Sequence, residues 1–482
     1  MSLRAYDMRR RAKVPFEPVR PGHAGMYVCG MTVQDKPHVG HMRYAVSGDA
    51  IRRVLEWKGY QVTYVTNFTD IDDRIIARGI EEGIPFQQVS QRNIDAFLRY
   101  ADLLNIKPAT HYPRATEHIP EILQLIQLLI EKGYAYASGG DVYFEVRKYP
   151  RYGELSGRNV DEMRTGVRIE VGESKRDPLD FALWKGAKPG EPSWPSPWGP
   201  GRPGWHIECS AMAMKYLGET FDFHGGGQDL LFPHHENEMA QSEAATGKPF
   251  ARHWVENGLV NLEGEKMSKS TEHFFSIEDV AARVDPEVIR FYLQSTHYRS
   301  PIEWNETRLK EAGTAYSRLR EALVKAGAGE ANSSKAAATS RAAEANSPAA
   351  SSLKSEMADL AGQFDEAVED DFNTAKAQGH LFEMAKAINR VADSSDAPAT
   401  ERAALPAAGQ RLRQLGEVIG LFWGGDSPEE DVSEEVQVLV RARDESRMEK
   451  KWKRADELRD EILALGYVLE DSKGGTRARR KI

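Results

Sequence analysis

The stretch Phe223-His224-Gly225-Gly226-Gly227-Gln228-Asp229-Leu230-Leu231-Phe232-Pro233-His234-His235-Glu236-Asn237-Glu238 gathers a glycine run, three histidines and several acidic and amide side chains into a turn and the start of a helix. Pro233 suits the first turn of that helix, where a missing N–H costs nothing, and Gly247 suits its end after Met239 to Thr246. On such a helix His234 and Glu238, four apart, share one face. An imidazole and a carboxylate so placed supply half of a zinc site, and the softer ligands that complete such a site are cysteines. The chain has two, Cys29 and Cys209. Taken singly, each reads first as a buried cysteine packing as a small hydrophobe; the metal reading rests on all four together.

Two other groups could handle phosphate. Asp35-Lys36-Pro37-His38-Val39-Gly40-His41 puts two histidines three apart where a helix is expected to begin, and orphan N–H groups and the helix dipole favour an anion there. Gly40 lets the backbone approach a flat ligand such as adenine. The polar stretch Glu263-Gly264-Glu265-Lys266-Met267-Ser268-Lys269-Ser270 carries two lysines three apart, although such a stretch is usually a solvated turn.

These groups need a frame. Gly25 to Gly30 reads as a short buried strand, Ala45 to Gly59 as a helix with Ile51, Val54 and Leu55 on one face, and Gln61 to Asn67 as a β-branched strand. That is a βαβ unit, and it predicts an α/β fold with a doubly wound, Rossmann-like parallel sheet. Glu117 to Lys132 has helical spacing and Asp141 to Val146 alternates like a strand. Trp184 to Trp205, dense in proline and tryptophan, reads as a long ordered loop that delivers Cys209 ahead of the glycine run. Helices are expected at Pro286 to Gln294, Glu306 to Lys325, Leu353 to Glu369, Ala375 to Ala392 and Glu401 to Phe422, enough for a bundle after the sheet domain. Ala326 to Ser352, almost wholly Ala, Ser, Gly, Glu, Asn and Lys, reads as a solvated insertion in it. Gly424 to Glu430 is a linker. Val436 to Leu465 beyond it reads as a basic helical stretch.

The 482 residues are too many for one core. A net charge of −9 argues against a protein basic all over, yet Arg441 to Ile482 holds thirteen basic and nine acidic residues, a local +4. Two cysteines make no disulfide framework and suit a reducing, cytoplasmic compartment. No apolar run reaches the about 18 residues of a membrane span. Met1 to Lys13 is arginine-rich as transit peptides are, but Asp7 interrupts it and a strand is expected soon after, so it reads as mature sequence.

The chain resembles the cysteinyl-tRNA synthetases, class I aminoacyl-tRNA synthetases, from its amino terminus to its last residues. Pro37-His38-Val39-Gly40-His41 matches the first class I signature, and Lys266-Met267-Ser268-Lys269-Ser270 matches the second letter for letter. Asn67 to Asp73, Gly204 to Met212 and Gly225 to Glu243 are family-distinctive blocks. The family's zinc ligands fall on Cys29, Cys209, His234 and Glu238, the set that residue type and spacing suggest. Met31 and Gln34 depart from the family pattern ahead of the first signature, Thr271-Glu272-His273-Phe274 after the second, and Ala478 near the end, where an aromatic is common.

The resemblance implies a monomer that activates L-cysteine with ATP and magnesium and passes it from cysteinyl-adenylate to the 3′ end of tRNA(Cys), with one zinc per chain selecting the thiolate. It assigns His38, Gly40, His41, Asp229, Lys266 and Lys269 to ATP and catalysis, and Thr69, Trp205 and His206 to the cysteine pocket. It implies three units: a catalytic domain over 1–320 with an insertion around 115–204, a helical bundle over 321–424 with the low-complexity insertion at 326–352, and a small basic anticodon-binding domain over 425–482. A ligase joining cysteine to a small amine, as in the related mycothiol ligase, would need neither bundle nor basic tail, and both are present. A non-catalytic paralogue would have lost a signature histidine or lysine, and none is missing.

Overall fold

The computed structural model describes residues 3–159, 175–262, 265–266, 277–327, 352–424, 433–465, 467–472 and 475–480. The chain opens in an antiparallel hairpin of β1 (Arg4–Asp7) and β2 (Ala12–Pro15). The expected βαβ unit follows as β3 (His23–Val28), α1 (Val39–Trp57) and β4 (Gln61–Thr66), with β3 and β4 parallel from His23↔Gln61 to Val28↔Thr66. Two helices that the sequence reading left unassigned come next, α2 (Asp73–Glu82) and α3 (Phe86–Leu103). Asp72 caps α2 through its side chain, and Gly83, at φ 67°, closes it.

An inserted layer then leaves and rejoins the main sheet. It comprises α4 (Ile119–Glu131), β5 (Ala135–Ser138), β6 (Asp141–Phe144), β7 (Phe181–Gly186) and β8 (Gly201–Pro203), the strands forming one antiparallel sheet in that order. Its own core is Ile122, Leu125, Ile126, Leu129, Phe144 and Trp184. Trp184 to Trp205 is thus not a loop throughout, because it starts and ends in paired strands, Trp184 opposite Pro203. Proline is tolerated in β8 because that strand is an edge. Gly201 lies so close to the Trp184 indole that a Cβ there would come within 2.3 Å of Nε1.

The chain returns through α5 (Trp205–Leu217), β9 (Phe221–Gly227), α6 (Glu236–Thr246) and β10 (Ala251–Asn257). The central sheet is all parallel in the order β10-β9-β3-β4. Strand alternation sorts its two faces. Met26, Val28 and Tyr64 pack with Val46, Ile51, Val54 and Leu55 of α1, while Tyr27, Cys29 and Val65 pack with Met212 and Ala213 of α5 and Met239 of α6. Both faces are covered by helices, as a parallel sheet requires.

A three-stranded sheet of β11 (Val260–Leu262), β12 (Glu265–Lys266) and β13 (Ile302–Trp304) follows, with α7 (Ile277–Ala281) and α8 (Pro286–Leu293) between its second and third strands. The bundle consists of α9 (Glu306–Lys325), α10 (Ser352–Glu369), α11 (Thr374–Ala392) and α12 (Ala399–Val418). Its core, through Tyr316, Phe364, Leu381 and Leu412, is continuous with that of the sheet domain. Buried Asp371 fastens the two, accepting from Arg299 Nη2 at 2.6 Å, Tyr298 Oη at 2.8 Å and the Tyr6 N–H at 2.9 Å. Most of the low-complexity insertion expected at 326–352 lies outside the described residues.

The stretch from Val436 to Leu465 is two helices, α13 (Glu434–Met448) and α14 (Trp452–Ala464), broken where Lys450 takes φ 59°. A hairpin of β14 (Tyr467–Ser472) and β15 (Gly475–Arg480) packs on them around Val436, Ile462, Tyr467 and Ala478. Ala478 is thus a core residue here.

Candidate active site

Functional side chains collect at the carboxyl ends of the parallel strands, the edge where such sheets bind ligands. Cys29 follows the last residue of β3 and is held by its N–H donating to the Gly225 carbonyl of β9 at 2.8 Å. Cys209 projects from α5, one turn after its start at Trp205. Helix α6 begins at Glu236, later than the position of Pro233 suggests, because Phe232 is extended (φ −140°, ψ 129°) in the turn Leu231–His235. His234 and Glu238 still meet, Nε2 to Oε1 at 3.0 Å, and Gly247, at φ 74°, ends the helix as expected.

One ligand atom from each of Cys29, Cys209, His234 and Glu238 lies within 4.8 Å of the others, and all four residues are buried. Cys29 Sγ donates to Glu238 Oε1 at 3.2 Å. Burial would raise the Glu238 carboxyl, but His224 and His234 hold it well below the usual range. Against burial, the Glu238 carboxylate raises His234 to about 10. Cys209, also opposed by burial, is brought to about 6 by hydrogen bonds from Cys29 and His234, whereas burial and Cys209 push Cys29 well up. Two sulfurs, an imidazole nitrogen and a carboxylate oxygen in such a pocket can hold a metal ion, and the donor set is the kind zinc takes.

A second buried set, Cys29, His224, His235 and Glu238, is equally close. His224 Nε2 lies 2.9 Å from Glu238 Oε2, and His235 Nδ1 lies 2.7 Å from Glu256 Oε1. The sequence reading gave His224 and His235 no role. The available signal was a histidine placed between the bulky apolar Phe221 and Phe223 and the glycine run Gly225–Gly227.

Two of the three expected pocket residues, Trp205 and His206, lie at this cluster, and the third, Thr69, is linked to it through Glu208, the neighbour of Cys209. Trp205 stacks on the His234 ring with centroids 4.4 Å apart, and the Nδ1 atoms of His206 and His234 lie 2.9 Å apart. Burial, then His234, holds His206 well below its usual value, so it is neutral at neutral pH. Gln241 Nε2 donates to the His206 carbonyl and, at 2.8 Å, to Ser210 Oγ, tying α6 to the start of α5. Thr69 is buried where the chain leaves β4, its N–H donating to the Met31 carbonyl at 3.3 Å, and its side chain hydrogen-bonds Glu208. Glu208 was not foreseen; burial raises its carboxyl well above the ordinary range.

His38 is the N-cap of α1 and His41 its third residue. Their rings stack at 3.7 Å, and the His38 N–H donates to His41 Nδ1 at 3.1 Å. A Cβ at Gly40 would come within 2.9 Å of the His38 ring, so glycine is what allows the two rings to fold over the helix start. Asp229 is exposed in the turn Gln228–Leu230 directly after β9. The Lys266 backbone lies in β12, while Lys269 and the departure Thr271–Phe274 lie outside the described residues.

Comparison with known proteins agrees with this layout along the whole chain. Residues 15–314 match the family described as tRNA synthetases class I (C) catalytic domain, 363–423 the DALR domain, and 429–479 the cysteinyl-tRNA ligase anticodon binding domain. The chain is 49% identical over 488 residues to the Cysteine--tRNA ligase of Geobacter metallireducens, with 99% of each chain covered. To that of Geobacillus thermodenitrificans it is 46% identical over 479 residues, again with 99% of each covered. Among solved structures, Mycobacterium tuberculosis methionyl-tRNA synthetase bound by methionyl-adenylate matches with TM-score 0.63 at 15% identity, covering 82% of this chain and 92% of that one. A putative arginyl tRNA synthetase from Campylobacter jejuni matches with TM-score 0.57 at 13% identity, over 84% and 94%. These two show the fold.

Proposed function

Because the chain belongs to the cysteinyl-tRNA synthetase family, a class I ligase of cysteine to tRNA, we propose that its buried cluster holds one zinc ion through Cys29, Cys209, His234 and Glu238 and selects cysteine there. The convergence of those four ligand atoms within 4.8 Å, beside Trp205 and His206, carries this reading. Zinc held by Cys29, Cys209, His234 and Glu238 would supply a borderline-soft Lewis acid, for which a thiolate is a far better partner than the hydroxyl of serine. The need is physical, since one apolar pocket contact separates near-isosteres by only about 10- to 200-fold. Trp205 and His206 wall the pocket, neutral His206 adding no charge to repel the substrate ammonium, and Thr69 closes it from the β4 side.

The carboxylate of the bound cysteine attacks the α-phosphorus of ATP, and pyrophosphate leaves. Such transfer needs positioning and charge stabilisation rather than a protein nucleophile. His38 and His41 meet the triphosphate at the N-terminus of α1, where the helix dipole adds to their hydrogen bonds. Gly40 gives the backbone access to the nucleotide, Asp229 holds the ribose hydroxyls, and Lys266 and Lys269 neutralise the transition state, with magnesium accompanying ATP. The three units proposed from the sequence, 1–320, 321–424 and 425–482, agree in order with the three family matches. tRNA(Cys) engages the last through its basic surface, where Trp452 stands 60% exposed between Lys451 and Lys453. We place the enzyme in the cytoplasm as a monomer; among the described residues no helix is long and apolar enough to cross a membrane.

Elemental analysis and cysteine binding test the central claim. About one zinc per chain is expected, with both metal and cysteine binding lost in Cys209→Ser. A Cys209→Ser protein that keeps its metal and binds cysteine normally refutes the proposed ligand set.

A further inference from the structure

Arg43 lies two residues beyond His41 on α1 and is 1% exposed. Among the described residues, none of its hydrogen-bond partners is a carboxylate. Nη1 donates to the Leu293 carbonyl, and Nη2 donates to Thr296 Oγ1 at 2.9 Å, the His297 carbonyl at 3.2 Å and the Ser300 carbonyl at 3.3 Å, while Nε has no partner. Burial holds the group down to about 10, so it is a cation at neutral pH. A buried cation without a counter-ion is costly, and an apolar side chain would fill the same volume more cheaply. What an arginine adds is a planar fork that fixes distance and rotation together.

The segment the fork grips leads to the second signature, and Tyr298 and Arg299 within it also bond Asp371 next to the bundle. Residues 293–300 run from the end of α8 to β13. They lie against the entry to β11, with the Gly258 N–H donating to the Tyr298 carbonyl at 2.7 Å. Gly258 is so close to Ser300 that a Cβ there would lie 2.2 Å from its carbonyl oxygen. The Ile302 N–H then donates to the Leu259 carbonyl at 2.9 Å, β13 pairs with β11, and β11 pairs with β12 through Asn261↔Lys266. One guanidinium thus joins the helix that begins with His38 and His41 to the sheet from which the Lys266 motif departs.

We propose that Arg43 is a positioning residue for adenylate formation, fixing the separation between the two nucleotide signatures. The inference rests on the reading above that both signatures act on ATP. It follows from the chemistry, because groups from the two motifs must meet one transferring phosphorus at once, and a displacement of 1 Å costs on the order of 100-fold in rate.

The test is cysteine-dependent ATP–pyrophosphate exchange in the full-length zinc enzyme, with cysteine affinity measured alongside. Arg43→Lys keeps the charge but not the fork; exchange kcat is expected to fall about 10- to 100-fold, with cysteine affinity unchanged within about threefold. Thr296→Val, which removes one acceptor and leaves the arginine in place, is expected to cost about three- to tenfold and keeps the question open to test if Arg43→Lys folds poorly. In a Lys266→Ala background Arg43→Lys should cost less than it does in the parent, because one of the two lysines it positions no longer acts, a non-additivity that general destabilisation would not produce. Full exchange activity in folded Arg43→Lys and Thr296→Val enzymes overturns the proposal, as does an Arg43→Lys penalty equal with and without Lys266. If Lys266→Ala alone exchanges normally, the role of the lysine motif fails and the inference with it, a failure visible in that single variant.

Discussion

Replacing His224 with leucine tests whether the wall behind the cluster sets its grip on metal. His224 Nε2 lies 2.9 Å from Glu238 Oε2 with both side chains shut off from solvent, while the other Glu238 oxygen faces His234 Nε2 at 3.0 Å. A hydrogen bond onto a charged group is worth about 1.5–3 kcal/mol. His224→Leu removes it and leaves the carboxylate freer to turn, so the zinc Kd should rise about 10- to 100-fold, the usual range for such outer partners. Competition against a chromogenic chelator of known zinc affinity measures this, with His235→Gln alongside. His235 bonds Glu256 rather than Glu238, so that variant should shift the Kd by less than about threefold. An unchanged Kd in folded His224→Leu would refute the reasoning. Loss of zinc from both histidine variants, with Cys209→Ser keeping it, would instead put the ion in the Cys29, His224, His235 and Glu238 set.

Lys269→Ala should slow adenylate formation by two or more powers of ten, on the order of a lost transition-state donor, with cysteine affinity unchanged; equal damage to affinity would make the lysine a substrate holder. Removing the residues after Gly424 should leave ATP–pyrophosphate exchange nearly intact but sharply reduce tRNA charging, and binding of tRNA to the full chain should weaken steeply with salt. Full charging by the truncated enzyme would show that the tail is not the RNA anchor. Burial holds His253 at about 4, against 6.5 ordinarily. The unfolded chain therefore takes up that proton first, and the stability His253 contributes is full above pH 6.5 and lost as pH falls toward 4. Chemical denaturation should show His253→Gln losing up to about 3 kcal/mol less than the parent over that interval; identical slopes would count against the assignment.

The sheet and site were legible where local pattern and tertiary structure agree. Periodicity placed α9 at its observed ends, Glu306 and Lys325, and the β-branched run at Gln61 placed β4, since a buried parallel strand leaves little choice of residue. Four candidate ligands that the fold brings together could be named because few residue types bind zinc and the chain has only two cysteines. The rest depends on packing between distant segments. His224 bonds Glu238, which only the meeting of β9 with α6 reveals. Strands β7 and β8 were hidden because their partners lie across a long insertion and an edge strand accepts the proline and glycine that mark loops elsewhere. The break between α13 and α14 rests on a left-handed Lys450, a conformation no local pattern announces.

The shared interior of sheet domain and bundle also dictates how the molecule comes apart on heating. With Val46, Leu293, Tyr316, Leu381 and Leu412 in a single apolar network, neither part can lose its packing without exposing the other, so calorimetry should find them melting as one cooperative block. Among the described residues, the terminal segment has a separate interior clustered on Val436, Ile462, Tyr467 and Ala478, and so small a nucleus gives marginal stability. It should melt first, in its own low-enthalpy transition, and there should be a temperature window in which the enzyme still forms adenylate but no longer charges tRNA.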